Sequence, residues 1–117
     1  MPRDQRGAAT AELALGIPLL VSLTVGLVWL LTLGVSQVRM VDAARETARA
    51  GARGESAADA IGRGQRVAPG AAITLSSSGD EVRATSSELV APPGGLLGFL
   101  PRVRVHAQAV AAAEGPG

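Results

Sequence analysis

The residue with the clearest chemical potential in this sequence is a single carboxylate, Glu12, directly before a long apolar segment. Leu13–Val38 contains 26 consecutive residues without a charged side chain, and about 20 apolar residues already span a bilayer as a helix. A carboxylate at the edge of such a segment is costly to insert, so by default it has a function. Glu12 is also the fifth residue after Gly7, which ends a short polar head. The alternative is a hydrated carboxylate at the interface without a partner.

Side chains for catalysis or metal binding are scarce. The sequence has no Cys and a single His, His106, so a thiolate site is impossible and a His site lacks its second ligand. His106 falls on the polar side of an alternating segment, where a solvent-exposed imidazole is expected. The serines at positions 76–78 and 86–87 have no base partner beside them. We therefore expect no enzyme activity, no cofactor and no metal site.

The apolar run itself predicts one transmembrane helix, assigned to residues 8–38. Pro18 lies in its first turns, where a missing backbone hydrogen bond is better tolerated than at mid-span. Ser22 and Gly26 form a small-xxx-small pair, which allows close helix approach in a membrane. Simple tolerance of small residues in apolar helices is the alternative explanation for this pair.

The net charge of the chain comes from its polar head. Residues 1–7 contain Arg3, Asp4 and Arg6, whereas the remaining 110 residues contain nine Arg and nine acidic residues. The body of the chain therefore has no excess positive charge with which to neutralise phosphates. This excludes nucleic acid as an expected partner.

Beyond the apolar run, the sequence pattern is first helical and then alternating. Residues 39–64 are rich in Ala and predict a helical stalk that ends near Gly62 and Gly64. Its apolar stripe follows a spacing of three to four residues: Val38, Val41, Ala44, Ala48 and Ala52. Residues 65–117 form a small β domain, in which alternation at 73–76, 82–87 and 102–109 predicts three strands with one buried face. The expected fold is α+β, a long transmembrane-plus-stalk helix followed by a three-stranded antiparallel sheet packed on it.

A Pro/Gly-rich loop, residues 91–101, separates the second and third predicted strands. It carries four large apolar side chains: Leu96, Leu97, Phe99 and Leu100. These side chains either close the open end of a thin core or contact a partner, because exposed apolar patches often mark interfaces. Residues 114–117 are expected to form a frayed tail.

Two segments resemble known families. The hexapeptide GAATAE at residues 7–12, between a positive head and an apolar helix, resembles the class III signal of type IV pilins and pseudopilins. The segment QVRMVDAARETARAGARG at residues 37–54 is similar to the AREgAR region of TadE-like proteins, with Thr47 where that pattern often has Gly. TadE-like proteins are minor pilins or pseudopilins of Tad (Flp, tight adherence) pilus systems. The similarity covers residues 5–54, and the rest of the chain is similar to the short actinobacterial type.

The resemblance implies a processing and assembly mechanism. A prepilin peptidase would cut between Gly7 and Ala8, which makes residues 1–7 a leader peptide. Glu12 of one subunit would then face the new α-amine of Ala8 in another. The implied partners are the peptidase, other pilin-like subunits and the Tad assembly machinery. The implied location is the inner membrane, single-pass, with a cytosolic N-terminus, an external C-terminal domain and incorporation into a surface pilus as one outcome.

Two alternatives stay open. Arg residues near the ends of a span favour the cytosolic side, and four of them follow the apolar run: Arg39, Arg45, Arg49 and Arg53. Only two precede it, so charge counting favours an internal C-terminal domain, opposite to the signal motif. The second alternative is an uncleaved, signal-anchored membrane protein that binds or regulates a membrane partner.

Overall fold

The computed structural model describes residues 2–94 and 98–114, with side chains described from Gln5 onward. Two helices and three strands follow in chain order: α1 (Pro2–Ala52), α2 (Ala57–Val67), β1 (Ala72–Ser78), β2 (Glu81–Val90) and β3 (Val103–Ala112). The predicted α+β fold, a long N-terminal helix followed by a three-stranded antiparallel sheet, is confirmed. Two of the four apolar loop side chains, Leu96 and Leu97, lie outside the described residues.

The sheet has the order β1-β2-β3, with both pairs antiparallel. A tight turn joins β1 to β2, and Gly79 takes a positive φ of 60° there, which costs glycine little because it has no Cβ. The side chains that alternate toward the helices are buried or half-buried: Ile73, Leu75, Val82, Ala84, Ser86, Val105, Ala107 and Ala109. The predicted alternation between one buried and one wet face is therefore confirmed.

The sheet packs along the C-terminal half of α1, and hydrogen bonds between the two layers fix its position. Ser86 Oγ donates to the carbonyl oxygen of Met40 at 2.5 Å, in a fully buried contact. Gln37 Nε2 donates to the carbonyl of His106 at 3.1 Å. The amide of Glu114 donates to the carbonyl of Ala52 at 2.9 Å, at the end of α1. The sheet therefore lies alongside α1 from about Gln37 to Ala52.

The helical stalk predicted for residues 39–64 is corrected by the structure to two helices. The α1 helix ends at Ala52 because Gly54 takes a positive φ of 93° and two amide bonds reverse the chain. The amide of Gly54 donates to Gly51 O at 3.0 Å, and that of Glu55 to Ala50 O at 3.2 Å, the pattern of a Schellman motif. Ser56 then caps α2 by accepting the amide of Asp59 at 3.1 Å.

The α2 helix folds back against α1, and Gly64 permits the close approach. A Cβ atom at Gly64 would overlap Thr47 Oγ1 and lie 2.8 Å from Ile73 Cδ1. Gly62 and Gly64 are thus inside α2 and do not end a helix, contrary to the prediction. The predicted apolar stripe is correct at Ala44, Ala48 and Ala52, which are buried, but Val38 is 59% exposed.

Candidate functional site

The segment Gly7–Glu12 lies near the start of α1, remote from the folded domain. Every residue from Gln5 to Leu15 is exposed, and the position of a Cβ at Gly7 has no atom within 4 Å. Domain contacts along α1 begin near Trp29, the first buried side chain, about 30 Å along the axis from Gly7 at 1.5 Å per residue. The Gly7–Ala8 peptide bond is therefore helical, accessible from all sides and free of the rest of the chain.

Ala8 and Glu12 lie on the same face of α1, one turn apart. A separation of four residues corresponds to about 6 Å along the helix axis, and a helical side chain leans toward the N-terminus. The Glu12 carboxylate is exposed. It takes no part in the ion pairs among the described side chains, which are Arg49–Glu46, Arg53–Glu55 and Arg63–Glu55. In the described chain Glu12 is thus available to an external cation.

The helix that carries this segment is long and apolar enough to cross a membrane. It is the one such helix among the described residues, and only 6% of its most apolar 18-residue window is buried within the chain. Its large side chains point outward, with Leu15 76% exposed and Leu19 70% exposed. Because water penalises this much exposed hydrocarbon, lipid is the environment that matches the surface. Membrane anchoring follows from this.

Three of the four hydroxyl groups of the apolar run are satisfied inside the helix; the fourth, Ser36, bonds to β2. Ser22 Oγ donates to Pro18 O at 2.8 Å, Thr24 Oγ1 to Leu20 O at 2.9 Å and Thr32 Oγ1 to Val28 O at 2.9 Å. Backbone bonding of this kind lets a hydroxyl reside in lipid without an unpaired donor. The small pair Ser22 and Gly26 is open, since no atom lies within 4 Å of a Cβ position at Gly26. Close helix approach there stays a prediction.

The rest of the described chain offers no cluster for catalysis. No group of three or more His, Cys, Asp or Glu residues that could hold a metal ion occurs among the described residues. His106 is exposed, as predicted, and its backbone carbonyl accepts from Gln37. Of the serines considered in the sequence, Ser87 lies directly opposite His106 in the β2–β3 register, but the described hydrogen bonds include none between these two side chains.

One polar contact between the helix and the sheet, Ser36 with Glu88, was not predicted from the sequence. Glu88 lies on the helix-facing side of β2, where its carboxylate accepts a hydrogen bond from the buried hydroxyl of Ser36. The signal for it was present, because the alternation through Val82, Ala84 and Ser86 places position 88 on the same face. The contact joins the C-terminal end of β2 to the apolar run of α1.

Comparison with known families finds a similarity that is confined to the N-terminal part of the chain. A family model described as TadE-like protein matches residues 7–49. The match begins at Gly7 and ends at Arg49, so it covers the candidate segment, the apolar run and most of the Ala-rich, charged segment after it. It leaves α2 and the sheet outside. No curated protein matches this chain, and no solved structure matches it.

Proposed function

We propose that this chain, a membrane-anchored protein with a TadE-like segment at residues 7–49, is a TadE-type minor pilin or pseudopilin. A prepilin peptidase cuts it after Gly7, and the mature protein takes part in assembly of a Tad/Flp-type pilus or a related secretion apparatus. The TadE-like segment connects the chain to Tad pilus systems, whose TadE-like members are pilus components and not enzymes. The observation that carries the proposal is the isolated, exposed Gly7–Glu12 segment at the start of an unburied apolar helix.

Cleavage after Gly7 is supported by access and by charge. The scissile bond lies far from the folded domain, so a membrane protease meets no steric obstacle at it. Removal of residues 1–7 removes Arg3, Asp4 and Arg6 and creates a new ammonium group on Ala8. The family match also begins at Gly7, which places the six preceding residues outside the shared segment.

Glu12 sets the axial register between subunits in this proposal. Its carboxylate stands at the edge of the apolar run without a described ion-pair partner. An unpaired carboxylate in lipid costs several kcal/mol, roughly the cost of transferring a charged group without compensation. Contact with the Ala8 ammonium of a neighbouring subunit offsets that cost, and it does so at only one relative height of the two helices. The Ser22 and Gly26 face allows the helices to approach closely.

The proposed topology places the N-terminus in the cytosol and the sheet outside. The downstream Arg residues weigh little against it, because two of them are paired with acids in the folded domain. Arg49 contacts Glu46 at 3.5 Å, and Arg53 contacts Glu55 at 2.8 Å. Partners are the prepilin peptidase, other pilin-like subunits and the Tad assembly machinery in the inner membrane.

Co-expression with a prepilin peptidase tests cleavage. Intact-mass measurement of the full chain is expected to show loss of residues 1–7, whereas Gly7→Ala stays unprocessed. Gly16→Ala is the matched control, since both glycines lie in α1 with open space at the Cβ position. An unchanged mass for the native chain, or equal processing of Gly7→Ala, overturns the proposal in favour of the uncleaved signal-anchored protein.

Glu12→Gln tests docking separately from cleavage. The substitution keeps the size of the side chain and removes its charge. We expect normal processing but loss of co-isolation with other pilin-like subunits from the native membrane, while Glu81→Gln, at an exposed acid of the mature domain, leaves co-isolation unchanged. Normal assembly by Glu12→Gln contradicts the register-setting role of Glu12.

A further inference from the structure

The lower end of the sheet carries exposed apolar and basic side chains together. We define this basal end as the described residues Leu89–Val90 and 98–104. Phe99, one of two aromatic residues in the chain, is 79% exposed there, and Leu89 is 52% exposed. Arg104, opposite Leu89 in the β2–β3 register, and Arg102 are exposed as well. Of the described domain, this end exposes the largest apolar side chains, and it does so beside two guanidinium groups.

The basal end lies beside the apolar run of α1 and not beyond it. Ser36 holds Glu88, and the next helix-facing residue of β2, Val90, lines a groove together with Val28, Leu31 and Thr32. The strand β2 therefore runs toward the N-terminus of α1 as it approaches the loop. The loop after Val90 starts at the level of Val28–Thr32, inside the uncharged run.

The apolar run is longer than a bilayer needs, and the excess is at the domain side. Its 26 residues extend about 39 Å as a helix at 1.5 Å per residue, against a hydrocarbon core of about 30 Å. If the span begins at Leu13, directly after Glu12, about 20 residues bring it to Thr32. The hydrocarbon boundary then falls at the level of Val90.

The burial of Trp29 supports this height. Trp29 is 8% exposed, whereas the adjacent Val28 and Leu30 are 51% and 62% exposed. A single helix cannot bury an indole to this extent, so another part of the chain packs against α1 at this height. Trp is enriched at the membrane interface, and Trp29 lies within one turn of the expected boundary at Thr32.

We propose that the basal end is a second membrane contact, seated in the headgroup layer of the leaflet on the domain side. Phe99 inserts among the upper acyl chains, and Leu89 lies at the boundary. Arg102 and Arg104 reach lipid phosphates while their aliphatic stems rest on the apolar layer, as is usual for arginine at an interface. The sheet is thereby held at a fixed height and tilt on the membrane, in either orientation of the chain.

Lipid fits this surface better than a second protein chain does. The patch is continuous with the membrane-spanning face of α1, since the groove at Val90 is also lined by Leu31 and Val35. Its exposed charges are positive at Arg39, Arg102 and Arg104, which complements phosphate. The acidic group at this end, Glu88, is engaged by Ser36.

The absence of cysteine from the sequence allows a site-directed test on the full chain. The Gly7→Ala background keeps every molecule unprocessed, so the outcome does not depend on the proposed cleavage. Single-cysteine variants Phe99→Cys, Val110→Cys and Leu23→Cys are spin-labelled in nanodiscs of phosphatidylcholine and phosphatidylglycerol, one protein copy per disc. Val110 and Leu23 are matched controls, being 51% and 57% exposed on the upper sheet and in mid-span.

Relaxation by oxygen and by a water-soluble nickel chelate then measures depth. We expect the label at position 99 to favour oxygen, like that at 23, and the label at 110 to favour the nickel chelate. Arg102→Gln combined with Arg104→Gln should raise nickel access at 99, whereas Arg66→Gln, an exposed Arg on α2, should not. Nickel access at 99 equal to that at 110 overturns the proposal. Protection at 99 only when several copies share a disc also overturns it, in favour of a second copy.

Discussion

The two halves of α1 have opposite relations between side-chain size and burial. In the free half, Leu13–Val28, the side chains are large and exposed, with Leu13, Leu20 and Leu23 between 57% and 64% exposed. In the packed half, Met40–Ala52, the buried side chains are nearly all small: Ala43, Ala44, Thr47, Ala48, Ala50 and Ala52. One continuous helix thus has two different environments along its length.

The two halves of α1 therefore have separate sources of stabilisation. Leu and Val of the free half gain free energy by leaving water for lipid, about 25 cal/mol per Å² of apolar surface. The Ala residues of the packed half bury little area each. They contribute by letting α2 and the sheet approach the helix backbone, where dispersion contacts and hydrogen bonds such as Ser86–Met40 form.

The largest expected effect comes from truncating the one large side chain of the packed half. Met40 is completely buried and belongs to the core with Ala43, Ile73 and Val105. Met40→Ala should lower the free energy of unfolding of the domain by about 2–5 kcal/mol through lost burial and a cavity. Hydrogen–deuterium exchange of the β2 and β3 amides in nanodiscs measures this free energy.

Leu20→Ala is the counterpart in the free half. Leu20 is 63% exposed, so its side chain faces the surrounding lipid and makes no contact with the folded domain. We expect domain stability to change by less than about 0.5 kcal/mol and the apolar contribution to membrane insertion to fall slightly. Equal loss of domain stability from both substitutions would show that the two halves are not energetically separate.

The next effect comes from adding one methyl group at Gly64. The new Cβ overlaps Thr47 Oγ1 and presses on Ile73 Cδ1 and the carbonyl of Ala43. Gly64→Ala should destabilise the domain by about 1–3 kcal/mol as overpacking does, even though Ala favours a helix by about 1 kcal/mol over Gly. Thermal unfolding of the full chain in nanodiscs, followed by amide exchange in α2, measures it.

Two control glycines and a second-site change sharpen the result. Gly62 in α2 and Gly26 in the free half have open space at the Cβ position, so Ala at either should leave the domain intact. Thr47→Ala removes the overlapping hydroxyl, which is buried without a hydrogen-bond partner in the described chain. The double variant Thr47→Ala, Gly64→Ala should therefore recover much of the lost stability. Lack of recovery would place the strain at Ile73 Cδ1 or at the Ala43 carbonyl.

The features that follow from simple repeats could be predicted from the sequence. An uncharged run of 26 residues specifies a span by length alone, and period-two alternation identified the buried face of each strand. The position of Gly7 and Glu12 relative to the run identified the candidate site. Each of these signals is local, so no knowledge of tertiary contacts is needed to interpret it.

The features that depend on tertiary contact were missed. Gly62 and Gly64 are expected helix breakers by propensity, but Gly64 is required inside α2 because Thr47 and Ile73 lie against it. The real break, at Arg53–Ser56, depends on one positive φ at Gly54, which does not differ in sequence from the other glycines nearby. Glu88 was missed because its partner, Ser36, is 52 residues away in the chain.

The smallest expected effect concerns the ion cluster at the junction of α1 and α2. Arg63 Nε donates to Glu55 Oε1 at 2.6 Å, and Arg53 Nη2 donates to Glu55 Oε2 at 2.8 Å. The hydrogen bond from Arg63, and then that from Arg53, lower the pKa of Glu55 below its ordinary value of 4.5. The stabilisation is therefore full above the ordinary pKa and is lost as the pH falls through the lowered one. Since these groups face solvent, the contribution is small and is screened by salt.

Glu55→Gln provides the test, because it removes the titration and keeps the side-chain size. The native chain should exceed Glu55→Gln in domain stability at neutral pH, and the difference should vanish as the pH falls through the lowered pKa of Glu55. The free half of α1 should show no such change, since the cluster closes the packed half at its C-terminal end. A difference between the two chains that persists in strong acid would mean that Glu55 acts through packing. The C-terminal end of the packed half would then depend on shape and not on charge.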